Sequence, residues 1–411
     1  MVAAADTLPS AVQICARLPA SSVRKRSYSI LADVKFLSLL YLLACLTSAS
    51  VCGLLIAASR EIPRLSGRLE DLNAVQRAHD RLTPRVGGLG IIAGLLLGML
   101  FVSFLFGDPG LGDGGKLLAG PVLLVVVALA EDLGFRIRPW TRLIATVLAS
   151  LYVGLLTEIW LRNLGMGPLN PLFDPLWVAI PVTLFVTAML SHGFNLIDGV
   201  NGLSSGVGLV GALGCSFISF QVGADAVGII ALILSAGIIG FMIFNFPFGW
   251  IFLGDTGAYL IGFVLAWLGI TLVETSGSAV SPWALILLFF WPLADVVFAV
   301  FRRLFRGRSM FEPDKLHLHS IANRGLKVLA RCYPVIERWR NPLTTVILLP
   351  LFLAPPLMGI SFYENSTICF ALVCCCTISY GALYFGTLPA YRLIRRWVRT
   401  RNRFRNRPIR K

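Results

Sequence analysis

The sequence predicts an all-α fold, a polytopic bundle of about eleven membrane-crossing helices. Three observations predict it. Of 411 residues, 56% are hydrophobic and 14% charged, with a mean hydropathy of +0.78, whereas a soluble domain carries about 25% charged residues. The apolar residues fall in long runs, and a run of about 20 is long enough to cross the hydrocarbon core as a helix. The alternating segments of roughly ten residues that build a membrane barrel are absent.

Taken in order, the apolar runs are Phe36–Ala58, Val86–Phe106, Leu117–Ala130, Leu143–Leu156, Leu176–Leu190, Gly206–Val222, Val227–Phe246, Ala258–Val273, Trp283–Phe301, Thr344–Phe362 and Ile368–Leu388. No repeat of fixed period links them. Eleven crossings put the intervening loops on alternating sides. The loops 59–85, 131–142, 191–205, 247–257 and 302–343, with the tail from Arg392, hold 29 of the 36 Lys and Arg residues, and the opposite loops hold only Lys116 and Arg162. Cytoplasmic loops collect basic residues, so the first set is expected in the cytoplasm. The stretch before the first run carries Arg17, Arg24, Lys25, Arg26 and Lys35 on the other side of that count. The run after it is too long for the apolar core of a cleavable signal.

The net charge of +15 is accounted for by anionic lipid headgroups and the loop bias, so no nucleic-acid partner is expected. Most of the nine cysteines lie in apolar runs (Cys45, Cys52, Cys215, Cys369, Cys374, Cys375, Cys376) without metal-ligand spacing. They are expected to pack as small side chains.

The chemistry-bearing residues all sit in the first set of loops. The stretch from His79 to Gly88 places Arg81 and Arg85 beside Thr83, Pro84 and two glycines, either a basic entry loop or a phosphate clamp. Glu131 and Asp132 end the third run, with Arg136, Arg138 and Arg142 following. Adjacent carboxylates at a membrane boundary are expected to face a polar cavity or a cation, and one of a close pair gains proton affinity and can act as a base. In the stretch from Gly193 to Leu203, Asn195, Asp198 and Asn201 would share one face of a helix, with no basic residue nearby in sequence to neutralise Asp198. Asn245 and Phe252 precede Gly254-Asp255-Thr256-Gly257. Asp255 is either a cap of the next helix or a carboxylate for Mg²⁺, an ion held by one or two carboxylates plus phosphates and water. The longest loop carries Glu312, Asp314, Lys315, His317 and His319 after four arginines. His-x-His without a further nearby Cys or His is not a tetrahedral zinc set, and phosphate contact suits it better. Asp295, inside the ninth run, is a functional candidate by its position.

Together these loops offer carboxylates, Arg, Lys and His donors and phosphate-admitting glycines, the parts from which phosphoryl transfer is built. In that order, TPRVGG, ED, NLIDGVNGL, FLGDTG and RRLFRGRSMFEPDKLHLHS, spread over Arg77 to Gly325, resemble the motifs of the bacterial polyprenyl-phosphate N-acetylhexosamine-1-phosphate transferases. The resemblance implies that a UDP-activated amino sugar gives sugar-1-phosphate to undecaprenyl (polyprenyl) phosphate and releases UMP, with Mg²⁺ or Mn²⁺, at the inner membrane with the site facing the cytoplasm. By position in the motifs it implies Asp255 as the metal ligand and Phe252 as an aromatic that stacks on uracil. Asn195, Asn201, Asn245 and Asp198 would surround the nucleotide. It further implies Asp132 or Glu131 as the base for the lipid phosphate, with Arg85, Asp314, Lys315, His317 and His319 at the phosphates. Glu131 stands where the family has Asp, Asn201 where it has a second Asp, and the His motif ends in Ser320. The last feature leans away from the peptidoglycan branch and towards the O-antigen (lipopolysaccharide) type. UDP-GlcNAc is the commonest donor in the family.

The expected organisation is an N-terminal extension (1–33), a transmembrane catalytic domain (34–391) and a basic cytoplasmic tail (392–411). Two other readings remain at this stage. A flippase or transporter of a lipid-linked sugar would place its polar residues at mid-membrane, and a catalytically inactive relative would explain Glu131 and Asn201. A homodimer is compatible with all three.

Overall fold

The computed structural model describes residues 20–66, 83–106, 113–307 and 316–405, all connected by helices, turns and loops, with no strand among them. The helices are α1 (Ala20–Ala58), α2 (Gly88–Phe106), α3 (Asp113–Ala119), α4 (Pro121–Asp132), α5 (Pro139–Thr157), α6 (Leu176–Ile197), α7 (Leu203–Gln221), α8 (Asp225–Asn245), α9 (Gly254–Ser276), α10 (Pro282–Leu288), α11 (Phe290–Phe305), α12 (Leu318–Ala330), α13 (Val335–Ser361) and α14 (Ser366–Arg405). Among the described residues, nine helices are long and apolar enough to cross a membrane, or ten if α10 and α11, bent by 84° to each other, count as one broken span.

The two remaining differences from an unbroken set of eleven have backbone causes. Proline has no N–H to give the carbonyl four residues back. Pro292 therefore leaves Leu288 unsupported, and the ninth expected span breaks at Phe289. Pro121 does the same to Leu117, so the third expected span is divided into α3 and α4 around Gly120. The helix α12 has no counterpart among the apolar runs, because its polar face keeps its hydropathy low. The helix α14 runs on through 391/392, where the basic tail is expected to begin.

The centre of the bundle is α9, every residue of whose apolar stretch is buried inside the protein. It packs chiefly on α6 and α4, and further on α2 and α7. Within a bilayer, lipid tails are as apolar as leucine, so close backbone approach holds helices together instead. Gly88 of α2 lies so near Gly257 of α9 that a methyl group on it would collide with the Gly257 backbone. Gly262 meets α6 at Leu190 and Ser191 in the same way. Across the bundle, Ser48 of α1 donates to the Gly237 carbonyl of α8 at 2.7 Å. Cys52, Cys215 and Cys369 are buried as expected, but Cys374 and Cys375 are exposed on α14.

Candidate active site

The loops expected on one side do meet at one end of the bundle. The 84–88 segment and the 252–253 segment are laced by backbone bonds: Phe252 N–H to Pro84 O (2.8 Å), Gly87 N–H to Phe252 O (3.0 Å) and Gly88 N–H to Leu253 O (2.9 Å). The chain then turns at Gly254, whose φ is +74°; a Cβ there would strike the Arg85 carbonyl and sit 2.7 Å from Asp132 Oδ2. Only glycine meets both conditions.

That turn opens α9, whose first N–H groups have no local side-chain cap. A carboxylate from α4 supplies one. Asp132 Oδ1 accepts from Asp255 N (2.8 Å) and Oδ2 from Thr256 N (2.9 Å), so a buried anion sits at the positive end of the helix. Asp255 is thereby aimed back over the same end. Its Oδ1 accepts from Asn195 Nδ2 of α6 (2.9 Å) and its Oδ2 from Arg142 Nη1 of α5 (2.8 Å). The same Nη1 lies 3.0 Å from Glu131 Oε2. Four helices thus place Glu131, Asp132, Arg142, Asn195 and Asp255 in one cluster. Arg142, which sequence reading gave only as part of a basic strip, is its central cation.

Asp198 follows α6 as its C-terminal cap, and Asn201 lies in the turn beyond. The helical face expected for Asn195, Asp198 and Asn201 therefore ends after Asn195. Burial pushes the Asp198 carboxyl up to about 8, with the charges of Asp255 and Asp132 adding to it and Arg85 opposing. Burial, then the charge of Asp255, pushes Asp132 up to about 7 despite the N–H groups that favour its ionised form. The end of the bundle thus holds three carboxylates that repel one another.

Two of the expected residues, Asn245 and Asn201, also fasten the loops around the site. Asn245 is buried; its Oδ1 accepts from Gly202 N (2.8 Å) and its Nδ2 donates to Ile251 O (2.8 Å). It ties the loop before α7 to the loop before α9. Asn201 is also buried and is held by α13: Asn341 Oδ1 accepts from Asn201 N (2.8 Å), and Thr345 Oγ1 donates to Asn201 O (2.7 Å). The Asn245 side chain and the Asn201 backbone thus join loops, because a buried loop must satisfy its backbone polar groups. Nothing in the sequence marked Asn341 or Thr345. Phe252 stays partly accessible beside Asp255.

The histidine motif forms the opposite wall. His319, in the first turn of α12, is buried, and its Nε2 abuts Gly199, next to Asp198. Burial pushes its imidazole down to about 4, so it is neutral at physiological pH. The His317 and His319 rings stack at 5.7 Å and 11°. His317 Nδ1 lies 2.6 Å from Asp295 Oδ2, and Tyr380 of α14 donates to Asp295 Oδ1 at 2.8 Å. Asp314 and Lys315 lie outside the described residues. Among the described residues the motif groups gather at one end of the bundle, and Asp295, just beyond the bend between α10 and α11, meets them through His317.

Comparison with known proteins agrees with this geometry. Residues 115–273 match the model of glycosyl transferase family 4. The chain is 28% identical over 247 residues to a probable undecaprenyl-phosphate N-acetylglucosaminyl 1-phosphate transferase of Bacillus subtilis (strain 168), a match covering 59% of this chain and 66% of the relative, just under two thirds of its length. It is 28% identical over 262 residues to an undecaprenyl-phosphate alpha-N-acetylglucosaminyl 1-phosphate transferase of Yersinia pestis, covering 62% and 70%. It is 29% identical over 267 residues to a decaprenyl-phosphate N-acetylglucosaminephosphotransferase of Mycobacterium tuberculosis (strain ATCC 25618 / H37Rv), covering 59% and 65%.

Proposed function

We propose that this chain belongs to the polyprenyl-phosphate N-acetylhexosamine-1-phosphate transferases, a reading supported by the match to glycosyl transferase family 4 and to the relatives above, and that it moves an N-acetylhexosamine-1-phosphate from a UDP-sugar to undecaprenyl or a similar polyprenyl phosphate and releases UMP. The observation that carries the reading is the cluster around Asp255, pinned by Asn195, Arg142 and the Asp132 cap at the end where five motif-bearing loops meet.

The donor set suits Mg²⁺. Burial and the nearby charge of Asp255 raise the proton affinity of Asp132 and Asp198, an excess of negative charge that a divalent cation relieves. Mg²⁺ takes one or two carboxylates and completes its shell with phosphates and water. Asp255 would hold the ion, which when bound supplies charge neutralisation on the donor diphosphate.

The chain's own groups do the rest. Asp132 sets the start of α9 and so the direction of Asp255. Glu131 and Asp255 share Arg142, which holds both carboxylates in place. An oxygen of the lipid phosphate forms a bond to the β-phosphorus of the donor while the bond from that phosphorus to the bridging oxygen breaks, and UMP leaves with the bridging oxygen. A proton carried by the lipid phosphate passes to a carboxylate of this cluster. Asp132 and Asp198, with raised proton affinity, are suited to receive it. Arg85, His317 and His319 line the phosphates, Phe252 takes the uracil, and Lys315, outside the described residues, adds charge.

The basic residues of the loops orient this end to the cytoplasm, where the soluble nucleotide sugar is met, while the acceptor arrives laterally through the membrane. The expected donor is UDP-GlcNAc and the expected product the first lipid-linked intermediate of a cell-surface polysaccharide. The test is UMP/UDP-sugar exchange by purified protein with undecaprenyl phosphate. Exchange should need Mg²⁺ and vanish in Asp255→Ala; full activity of that variant, or no exchange with any UDP-amino sugar, overturns the proposal.

A further inference from the structure

The sequence leaves Asp295 as an unexplained carboxylate inside a span, and the proposed reaction does not use it. Its surroundings assign it a task. Asp295 is 3% and His317 4% exposed, and their side chains meet at 2.6 Å through His317 Nδ1. The other carboxylate oxygen accepts from Tyr380 Oη at 2.8 Å. Tyr380 is itself fixed by edge contacts with Phe290, Trp291 and Phe298 of α11, at 5.0–6.3 Å between ring centroids. The partners come from three separate parts of the chain: α11, the start of α12 and the middle of α14.

We propose that Asp295, braced by Tyr380, is a positioning residue that fixes the ring of His317 with Nδ1–H turned to the carboxylate, leaving Nε2 to meet the phosphates of the substrates; this rests on the transferase reading above. A carboxylate with no proton can only accept, so the nitrogen 2.6 Å away must carry the hydrogen. Which nitrogen of a histidine is protonated is set by the bond the other one makes. The orientation passes onward through packing. His317 stacks on His319, and His319 rests against Gly199 beside Asp198. A burial cost as large as that of a carboxylate within a span is met here by two hydrogen bonds from groups whose only evident common effect is to hold one ring still.

The alternative is a purely structural tie between α11, α12 and α14. It predicts that any variant that folds retains its turnover. Two measurements separate the cases. First, the chain has four histidines, so nitrogen-15 histidine spectra of the full-length protein in lipid are simple, and His317→Gln identifies the signal. Protonated, strongly hydrogen-bonded Nδ1 is expected for His317 in the native protein, lost in Asp295→Ala. An unprotonated Nδ1 with Nε2–H in the native protein overturns the assignment. Second, exchange kinetics of Asp295→Asn and Tyr380→Phe should show kcat lowered about 10–100-fold and a few-fold respectively, the scale seen when a carboxylate supporting a functional histidine is removed, with KM for the nucleotide sugar within about 2-fold. Native kcat in folded Asp295→Asn overturns it. Tyr380→Phe keeps the packed ring and serves if Asp295→Asn does not fold. If the native protein performs no exchange with any donor, the transferase reading fails, and the spectra still decide the role of Asp295.

Discussion

The two ends of α9 use the same device for different ends. At one, Asp132 accepts from the consecutive N–H groups of Asp255 and Thr256. At the other, Glu274 in the last turn of α9 accepts from the consecutive N–H groups of Arg162 and Asn163, both at 2.9 Å with one oxygen, Oε1. The second carboxylate is partly exposed. The first is buried, faces Asp255 and Asp198, and is pushed up to about 7. A cap that only had to close a loop would be built like Glu274. The difference teaches that at the Asp132 end the fold opposes its own electrostatics to keep negative charges together, which is the mark of a functional site rather than of a stable one.

The comparison can be broken most directly by removing the two caps. Asp132→Ala should lower exchange at least about 100-fold, since it releases the start of α9 and with it Asp255, and a misplacement of about 1 Å costs that much. Glu274→Ala should lower it less than about 3-fold. Equal losses in the two assays would erase the distinction. Next in size is Gly254→Ala, where positive φ and the Arg85 carbonyl leave no room; strain of roughly 1–3 kcal/mol should reduce the melting temperature and turnover together. Arg142→Gln tests whether pairing of Glu131 and Asp255 matters at this end: kcat should fall about 10-fold or more, on the scale of losing a charge-assisted donor worth roughly 1.5–3 kcal/mol.

A smaller effect sharpens the electrostatic side. Asp132 and Asp198 start from an ordinary value of 3.8 and are raised to about 7 and about 8, so between those limits the folded protein binds more protons than the unfolded chain. Stability then falls as pH rises from about 4 to 8. Melting curves without divalent cations should show this fall, the Asp132→Asn/Asp198→Asn pair should flatten it, and Mg²⁺ should restore native stability at the upper end. The smallest expected change is Glu274→Gln, which should shift stability by about 0.5–1.5 kcal/mol, the worth of an ordinary hydrogen bond, with exchange unaltered.

Much of this was legible in the sequence, and what was not has a common cause. Apolar run length gave the spans, and the clustering of Gly, Asp and Asn between them marked the loops that meet at the site. The breaks at Pro121 and Phe289 were hidden because hydropathy does not register a missing N–H. The helix α12 was hidden because a half-polar helix lying outside the apolar runs has no hydropathy signal. Asp255 stood out as a lone carboxylate between glycines, whereas Arg142 looked like any other basic residue in its strip. Its meaning depends on partners 11 and 113 positions away. Asn201 and Asn245 show the reverse: they share the motif loops with the carboxylates, and the bonds of the Asn201 backbone to Asn341 and Thr345 and of the Asn245 side chain to Gly202 and Ile251 also make them fasteners of those loops, which their place in the motifs did not reveal.

The neighbours of α9 have a bearing on how the protein is made. The helices it packs on most, α6 and α4, followed by α2 and α7, all precede it in the chain. During synthesis it therefore enters a socket whose walls have already left the ribosome, with Asp132, Arg142 and Asn195 waiting at one rim. By the time Ser276 has been added, the residues that hold Asp255 are all present, whereas Asp295, His317 and Tyr380 have yet to be translated. The carboxylate half of the site can be assembled before its histidine wall exists, so the nascent protein can bury its most awkward charges early and gain the means of reaction last.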